Sequence, residues 1–237
     1  MSTVDRLKKR LAEAGVAVDD AGVVLMVRHL EAVMEANQRM NLTAIRDLDT
    51  AMSLHIIDSL TPVGELAEAP EGPLVDLGSG AGFPGVPLAI VSGRQTTLVE
   101  SIAKKARYLE DTVRSLGLDR QIRVFAGRAE ALARQEAGLS AAVTARAVAS
   151  LPALVELASP LLSAGGKLFA MKGKPEPSEL EAGRAAAGLT GMEFEGVRTY
   201  ELVGREDARS CVVFRKCGDS SVPLPRRDGV AQHRPLA

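Results

Sequence analysis

The run Leu74-Val75-Asp76-Leu77-Gly78-Ser79-Gly80-Ala81-Gly82 constrains this chain more than any other stretch. A short apolar strand leads straight into alternating glycines, and a helical pattern follows. Glycine takes positive φ without strain and lets a ligand approach the backbone, so Gly78, Gly80 and Gly82 mark a strand-to-helix turn built against a bound group. Asp76, within that strand, can orient the turn or meet an amine of the ligand. A glycine-rich turn alone is a weak signal, and its context strengthens it. Glu100 closes the next apolar run, where a carboxylate can accept both hydroxyls of a ribose. If Gly78 opened a dinucleotide fingerprint, Phe83 would stand where tight helix packing requires Gly or Ala. An adenosine cofactor without a pyrophosphate fits better, and S-adenosylmethionine (SAM) is the expected one.

Around this turn, strand-like runs near 74–77, 96–99, 122–126, 141–145 and 167–171 alternate with helical stretches at 85–92, 102–116, 129–135, 150–162 and 178–188. Such alternation predicts a parallel sheet covered by helices on both faces. Two more runs, 194–203 and 210–216, follow with no helix between them, so the last strand should enter antiparallel. Upstream, Val4, Leu7 and Leu11 recur at helical spacing, as do Val23, Met26, Val27, Leu30, Val33 and Met34. A third helix around Leu54–Leu60 should stop before Pro62, and 65–73 reads as a loop. The expected architecture is α/β. It is a Rossmann-like, class I SAM-dependent methyltransferase sheet, mostly parallel with the last strand antiparallel, preceded by an N-terminal helical extension. The boundaries are 1–62 for the extension, 63–217 for the SAM-binding domain and 218–237 for a tail. Pro223, Pro225 and Pro235 interrupt that tail, which is expected to be unordered and dispensable for folding and cofactor binding.

Composition narrows the function. A formal net charge of −1 argues against a protein held to nucleic acid by bulk positive charge, and 3% aromatic residues with no Trp leave few rings for a base-stacking platform. Cys211 and Cys217 fit neither zinc-ligand nor redox spacing, and no His/Cys/carboxylate constellation suggests a metal. Charges occupy the N-terminus where a signal peptide needs an apolar stretch, and no run approaches the length of a membrane span. A cytoplasmic protein without membrane contact is expected.

After the fourth strand stands Thr144-Ala145-Arg146-Ala147-Val148 rather than the Asn/Asp-Pro-Pro-aromatic loop common among enzymes that methylate exocyclic amines. No Pro-Cys nucleophile for carbon methylation is present either. An acceptor that needs no proton removed is favoured, and a ring nitrogen such as guanine N7 is one. Arg146, after an apolar strand at the ligand-binding edge of an α/β sheet, is either a ligand contact or a salt bridge to a neighbouring helix. His55 can equally be a half-buried helix residue paired one turn on, and Lys104, Lys105 and Arg107 read as a solvated face.

Over residues 37–216 the chain resembles the RsmG (GidB) family of bacterial 16S ribosomal RNA guanine-N7 methyltransferases. The resemblance rests on Asn41-Leu42-Thr43 with Arg46, His55-Ile56-Ile57-Asp58-Ser59, Asp76 to Gly85, Gly127-Arg128-Ala129-Glu130, Arg146-Ala147 and Met171-Lys172-Gly173. It implies SAM contact at Gly78, Phe83, Ala129, Glu130 and Arg146, with Glu100 matching the acidic ribose position. Asn41, His55, Arg128 and Lys172 resemble the family's polar positions around the pocket mouth and, with Arg146, are candidates for positioning the substrate. No residue is expected to act as an acid or base. The implied partner is 16S rRNA or a small-subunit particle, met by a monomer. Two other classes stay open on the sequence: a SAM enzyme acting on a small molecule or protein, and a SAM-binding assembly factor without catalysis.

Overall fold

The computed structural model describes residues 1–202 and 208–237. Its centre is a seven-stranded sheet in the order β3-β2-β1-β4-β5-β7-β6. The strands are β1 (Leu74–Leu77), β2 (Thr96–Glu100), β3 (Ile122–Ala126), β4 (Ser140–Arg146), β5 (Leu162–Lys172), β6 (Met192–Tyr200) and β7 (Arg209–Lys216). β1 to β5 pair parallel, while β7 lies antiparallel to both β5 and β6. The strand order reverses beside β1, so the carboxyl ends of β1 and β4 flank the crevice where open α/β sheets bind ligands.

Helices α1 (Thr3–Glu13) and α2 (Asp20–Met40) precede the sheet. α3 (Leu48–Ala51), a π-helical stretch (Met52–Ile57) and α4 (Asp58–Leu60) then run on as one segment. A π-helical turn widens the backbone spiral and is frequent at functional sites; here it carries His55 and leads directly to Asp58. Leu7, Leu11, Val23, Met26 and Leu30 share one buried core with Leu74, Phe83, Ala142 and Phe169 of the sheet side. The helical extension and the sheet therefore bury each other's apolar surface.

The five strand-helix alternations fall where apolar periodicity places them, with α6 (Gly85–Ser92), α7 (Ala103–Leu116), α8 (Ala129–Gln135), α9 (Leu151–Ala158) and α10 (Pro177–Thr190) between strands. Three places differ. A short helix, α5 (Val63–Ala67), stands within the expected loop. The Arg94 guanidinium donates to the carbonyls of Leu66, Ala69, Pro70 and Gly72, which satisfies the free acceptors at the end of that helix. β5 begins at Leu162 rather than 167, because Leu162 pairs with Ser140. Val203, the expected last residue of the run 194–203, lies outside the described residues.

The third difference is the tail. It was expected to be unordered, and instead it packs on the sheet's helical cover and ends in a short helix, α11 (Val230–His233). Ala231 is buried, and the Arg226 guanidinium grips the Glu156 carboxylate of α9 through two hydrogen bonds of 2.6 and 2.5 Å. Apolar periodicity missed this because the tail is held by charge-assisted bonds, which leave no hydrophobic repeat in the sequence.

Candidate cofactor and substrate site

The glycine turn after β1 has the backbone that its composition requires: Gly78, Gly80 and Gly82 all hold positive φ, at 67°, 58° and 96°. The reason differs at each. A Cβ on Gly78 would fall 2.6 Å from a Val148 methyl, and one on Gly82 would fall 2.8 Å from His29 Nε2. A Cβ on Gly80 would meet nothing nearer than the Gly78 carbonyl at 3.8 Å, so the space above Gly80 is open to a ligand.

Two carboxylates frame this cradle. Glu100, buried at the end of β2, accepts from the Gly80 amide at 3.1 Å and the Ile102 amide at 2.8 Å. Those bonds lock its orientation toward the turn, as a ribose-binding carboxylate needs. Asp76 is fully buried; its Oδ2 accepts from the Gly85 amide at 3.1 Å, while its Oδ1 has no hydrogen-bond partner among the described residues. Burial pushes its carboxyl up to about 7 against the hydrogen bonds that favour the anion. An unpartnered buried acceptor beside an open glycine cradle suits an ammonium group, so Asp76, Gly80 and Glu100 fit the amine and ribose of SAM. Gly78, Val99, Ala129, Glu130 and Val148 border an adjacent hollow between β1, β2 and α8.

A second hollow, of about 190 Å³, opens at the carboxyl ends of β4 and β5 between Asp58, Arg146, Met171, Lys172 and Tyr200. Arg146 joins the two sides of the site. It donates to Asp58 Oδ2 at 2.8 Å and to the Leu54 carbonyl at 2.9 Å, and its guanidinium lies 5.8 Å from the Phe83 ring centre. Tyr200 donates to the other Asp58 oxygen at 3.2 Å. Of the two readings of Arg146, its contacts show the salt bridge to the helical extension, made at the border of the second hollow. The next residue, Ala147, holds φ at 57°, a strained conformation of a kind that concentrates at functional sites.

Phe83 is clasped between two imidazoles, with His55 stacked at 4.6 Å and His29 tilted at 4.5 Å. His55 Nε2 bonds Thr43 Oγ1 at 3.0 Å, and Asn37 pins the Thr43 backbone from both sides. The His55 imidazole thus stacks on Phe83 and bonds neither Asp58 nor Ser59, whose hydroxyl donates instead to the His55 backbone carbonyl. Asn41 caps α2 in a left-handed conformation, stands exposed, and borders neither hollow. Lys172 borders the second hollow, with its charge held by Glu179 at 2.7 Å and the Ala149 carbonyl at 3.1 Å. Arg128 is not brought together with these residues; it borders the hollow between β1, β2 and α8 and donates to Gln232. Lys104 and Arg107 are exposed on α7. Among the described residues no group of His, Cys, Asp or Glu is arranged to hold a metal, and both cysteines are free thiols. Sequence reading did not single out His29, Asn37, Tyr200 or the tail. His29 and Tyr200 act through contacts distant in sequence, on Ala81 and Asp58, and Asn37 acts on Thr43 six residues on; the partners lie within recognised motifs and the residues that hold them do not.

Burial holds His55 and His29 neutral, with values down to about 4, and the Arg146 charge adds to the effect at His55. Between pH 6.5 and 4 the unfolded chain takes up protons that these folded imidazoles refuse. Each therefore removes about 1.4 kcal/mol of stability per unit of falling pH. Asp76 has the opposite sign: its contribution is present below 3.8 and is lost as pH rises through about 7. Asp76 offsets one histidine over this window, leaving a net loss of stability toward acid. His29→Phe is expected to flatten that loss, read as the difference in unfolding free energy between pH 6.5 and 5. An unchanged difference would refute the neutral buried assignment.

The family model described as GidB, rRNA small subunit methyltransferase G, matches residues 23–206. A ribosomal RNA small subunit methyltransferase G from Deinococcus deserti is 42% identical over 210 residues, covering 87% of this chain and 86% of the relative. That of Carboxydothermus hydrogenoformans is 36% identical over 234 residues, covering 98% of this chain and 99% of its own. Among solved structures, M. jannaschii TYW2 in complex with AdoMet is similar with a TM-score of 0.53 at 15% identity, over 71% of this chain and 79% of that one. A geranyl diphosphate methyltransferase in complex with SAM is similar with a TM-score of 0.51 at 17% identity, over 71% of this chain and 86% of that one. At such identities the two structures share the fold alone.

Proposed function

The chain belongs to the rRNA small subunit methyltransferase G family, and on that basis we propose that it methylates N7 of a guanine in small-subunit (16S) ribosomal RNA by direct displacement without a general base. SAM supplies a methyl group on a positively charged sulfur, which leaves as a neutral thioether. Guanine N7 brings a lone pair and carries no proton, so the chain's own residues need only bind, orient and exclude water.

The observation that carries this reading is the chemistry of the second hollow. Its acidic group, Asp58, is engaged by Arg146 and Tyr200, and the nearby imidazole of His55 is a weak base held neutral behind Phe83. What the hollow offers a substrate is donors: the guanidinium of Arg146 and the ammonium of Lys172. Guanine presents N7 and O6 as acceptors along one edge, and an Arg or Lys that donates to O6 alone leaves the N7 lone pair free to attack. Holding the two reactants at near-attack distance is worth about 7–11 kcal/mol, enough to be the enzyme's main contribution. Asp76 and Glu100 would hold the amine and ribose ends of the cofactor, and Arg146 would link cofactor side to substrate side. The RNA is met either free or within a small-subunit particle. Among the described residues no helix is long and apolar enough to cross a membrane.

Mapping methylated guanines in 16S RNA from cells with and without the protein tests the substrate, and a product other than N7-methylguanosine overturns it. At saturating SAM, single-turnover methylation is expected to show no ionisation step that disappears in His55→Gln. Such a step would contradict the base-free mechanism.

A further inference from the structure

The contacts of the C-terminal segment converge on the cofactor hollow. Arg226 is fixed on Glu156, and Asp228 pairs with Arg134 of α8 at 2.5 Å. The Gly229 amide donates to Glu130 Oε1 at 2.7 Å, and Arg128 Nη1 donates to Gln232 Oε1 at 3.3 Å. Gly229 passes so close to α8 that a Cβ there would lie 3.4 Å from the Arg128 guanidinium. These anchors bring the Gln232 side chain to the rim of the hollow that Gly78, Val99, Ala129, Glu130 and Val148 enclose.

That hollow lies beside the end of β2, between β1, β2 and α8 and flanked by Val99 and Ser101 on either side of Glu100, within reach of the base of a nucleoside held at Glu100 by its ribose. Leu77, Val99, Val148 and Leu157 give it apolar walls suited to a flat heterocycle. Recognition of adenine further requires a polar group that matches its ring nitrogens and amino group, and a carboxamide can do so with donor and acceptor side by side. The Glu130 carboxylate is engaged by the Gly229 amide, so it braces the segment. With the Gln232 oxygen held by Arg128, its amide N–H groups are left to donate. We propose that residues 226–234 form the outer wall of the adenine end of the cofactor pocket and that Gln232 is a cofactor-binding residue donating to the adenine ring.

The inference rests on the cofactor and is independent of the RNA substrate. Calorimetry with S-adenosylhomocysteine and with adenosine alone, on the full chain and on Gln232→Ala, tests it. Wild-type binding of S-adenosylhomocysteine is the control for the cofactor itself. The variant is expected to bind both ligands about tenfold more weakly, the usual scale of one lost hydrogen bond to a ligand. Its ligand-free melting temperature should match wild type, because Gln232 is exposed and bonds only exposed Arg128. S-adenosylhomocysteine should also slow hydrogen exchange at the amides of 229–233. Wild-type affinity in the variant overturns the inference, as does a loss seen with S-adenosylhomocysteine and absent with adenosine.

Discussion

Cutting the chain after Gly218 is expected to lower its melting temperature by roughly 6–20 °C, taking about 3–5 kcal/mol for a broken buried ion pair and about 2–4 °C per kcal/mol for a domain of this size. The Glu156 carboxylate is 2% exposed and takes both of its strongest hydrogen bonds from Arg226. Without the tail that charge loses its guanidinium, and the desolvation that α9's packing on the sheet still imposes is no longer offset. Loss of Ala231 from the core and of the Gly229 bond to Glu130 adds to the effect. Glu156→Gln in the shortened chain should recover a large part of the loss, since a neutral amide costs far less to bury than an unpaired carboxylate. Truncation without a change in melting temperature would show that the segment contributes nothing to the folded state.

Arg146→Ala should cost a similar amount of stability, about 3–5 kcal/mol, and in addition lower methyl transfer by about 10²-fold or more at saturating substrates. Asp58 is 4% exposed on its side chain and would lose its guanidinium partner while keeping the Tyr200 hydroxyl. The Leu54 carbonyl would lose its donor, and the guanidinium near Phe83 would be gone. The two effects separate in the double variant. Asp58→Asn with Arg146→Ala removes the stranded charge, so stability should largely return while activity stays low. Recovery of both would reduce Arg146 to a structural strut. Arg146→Lys should rescue poorly, because a single ammonium on a flexible stem does not reproduce the planar guanidinium geometry.

The pattern of elements along the chain was legible in the residues because it is a local matter. Strands of four to five residues such as Leu74–Leu77 and Ile122–Ala126 announce themselves as apolar runs, and helices such as Ala129–Gln135 by their periodicity. The cradle of Gly78, Gly80 and Gly82 with Glu100 on the next strand was equally readable, since a positive φ leaves few residue types to choose from. Sequence spacing did not carry lateral order. It does not reveal that β7 inserts between β5 and β6, since hairpin partners can lie in either order on the sheet edge. Nor does it pair Asp58 with Arg146, or place Arg128 on the cofactor side with Gln232 rather than beside Lys172. The tail is the clearest case. Read as a polar, proline-broken segment it has no apolar repeat to bury, and composition alone makes it unordered. Its order comes from Arg226 finding a carboxylate 70 residues earlier in the chain, buried in a helix that packs on the sheet. A charge-assisted bond of that kind needs only two residues of the right type, and which two meet is decided by the folded chain that brings them together.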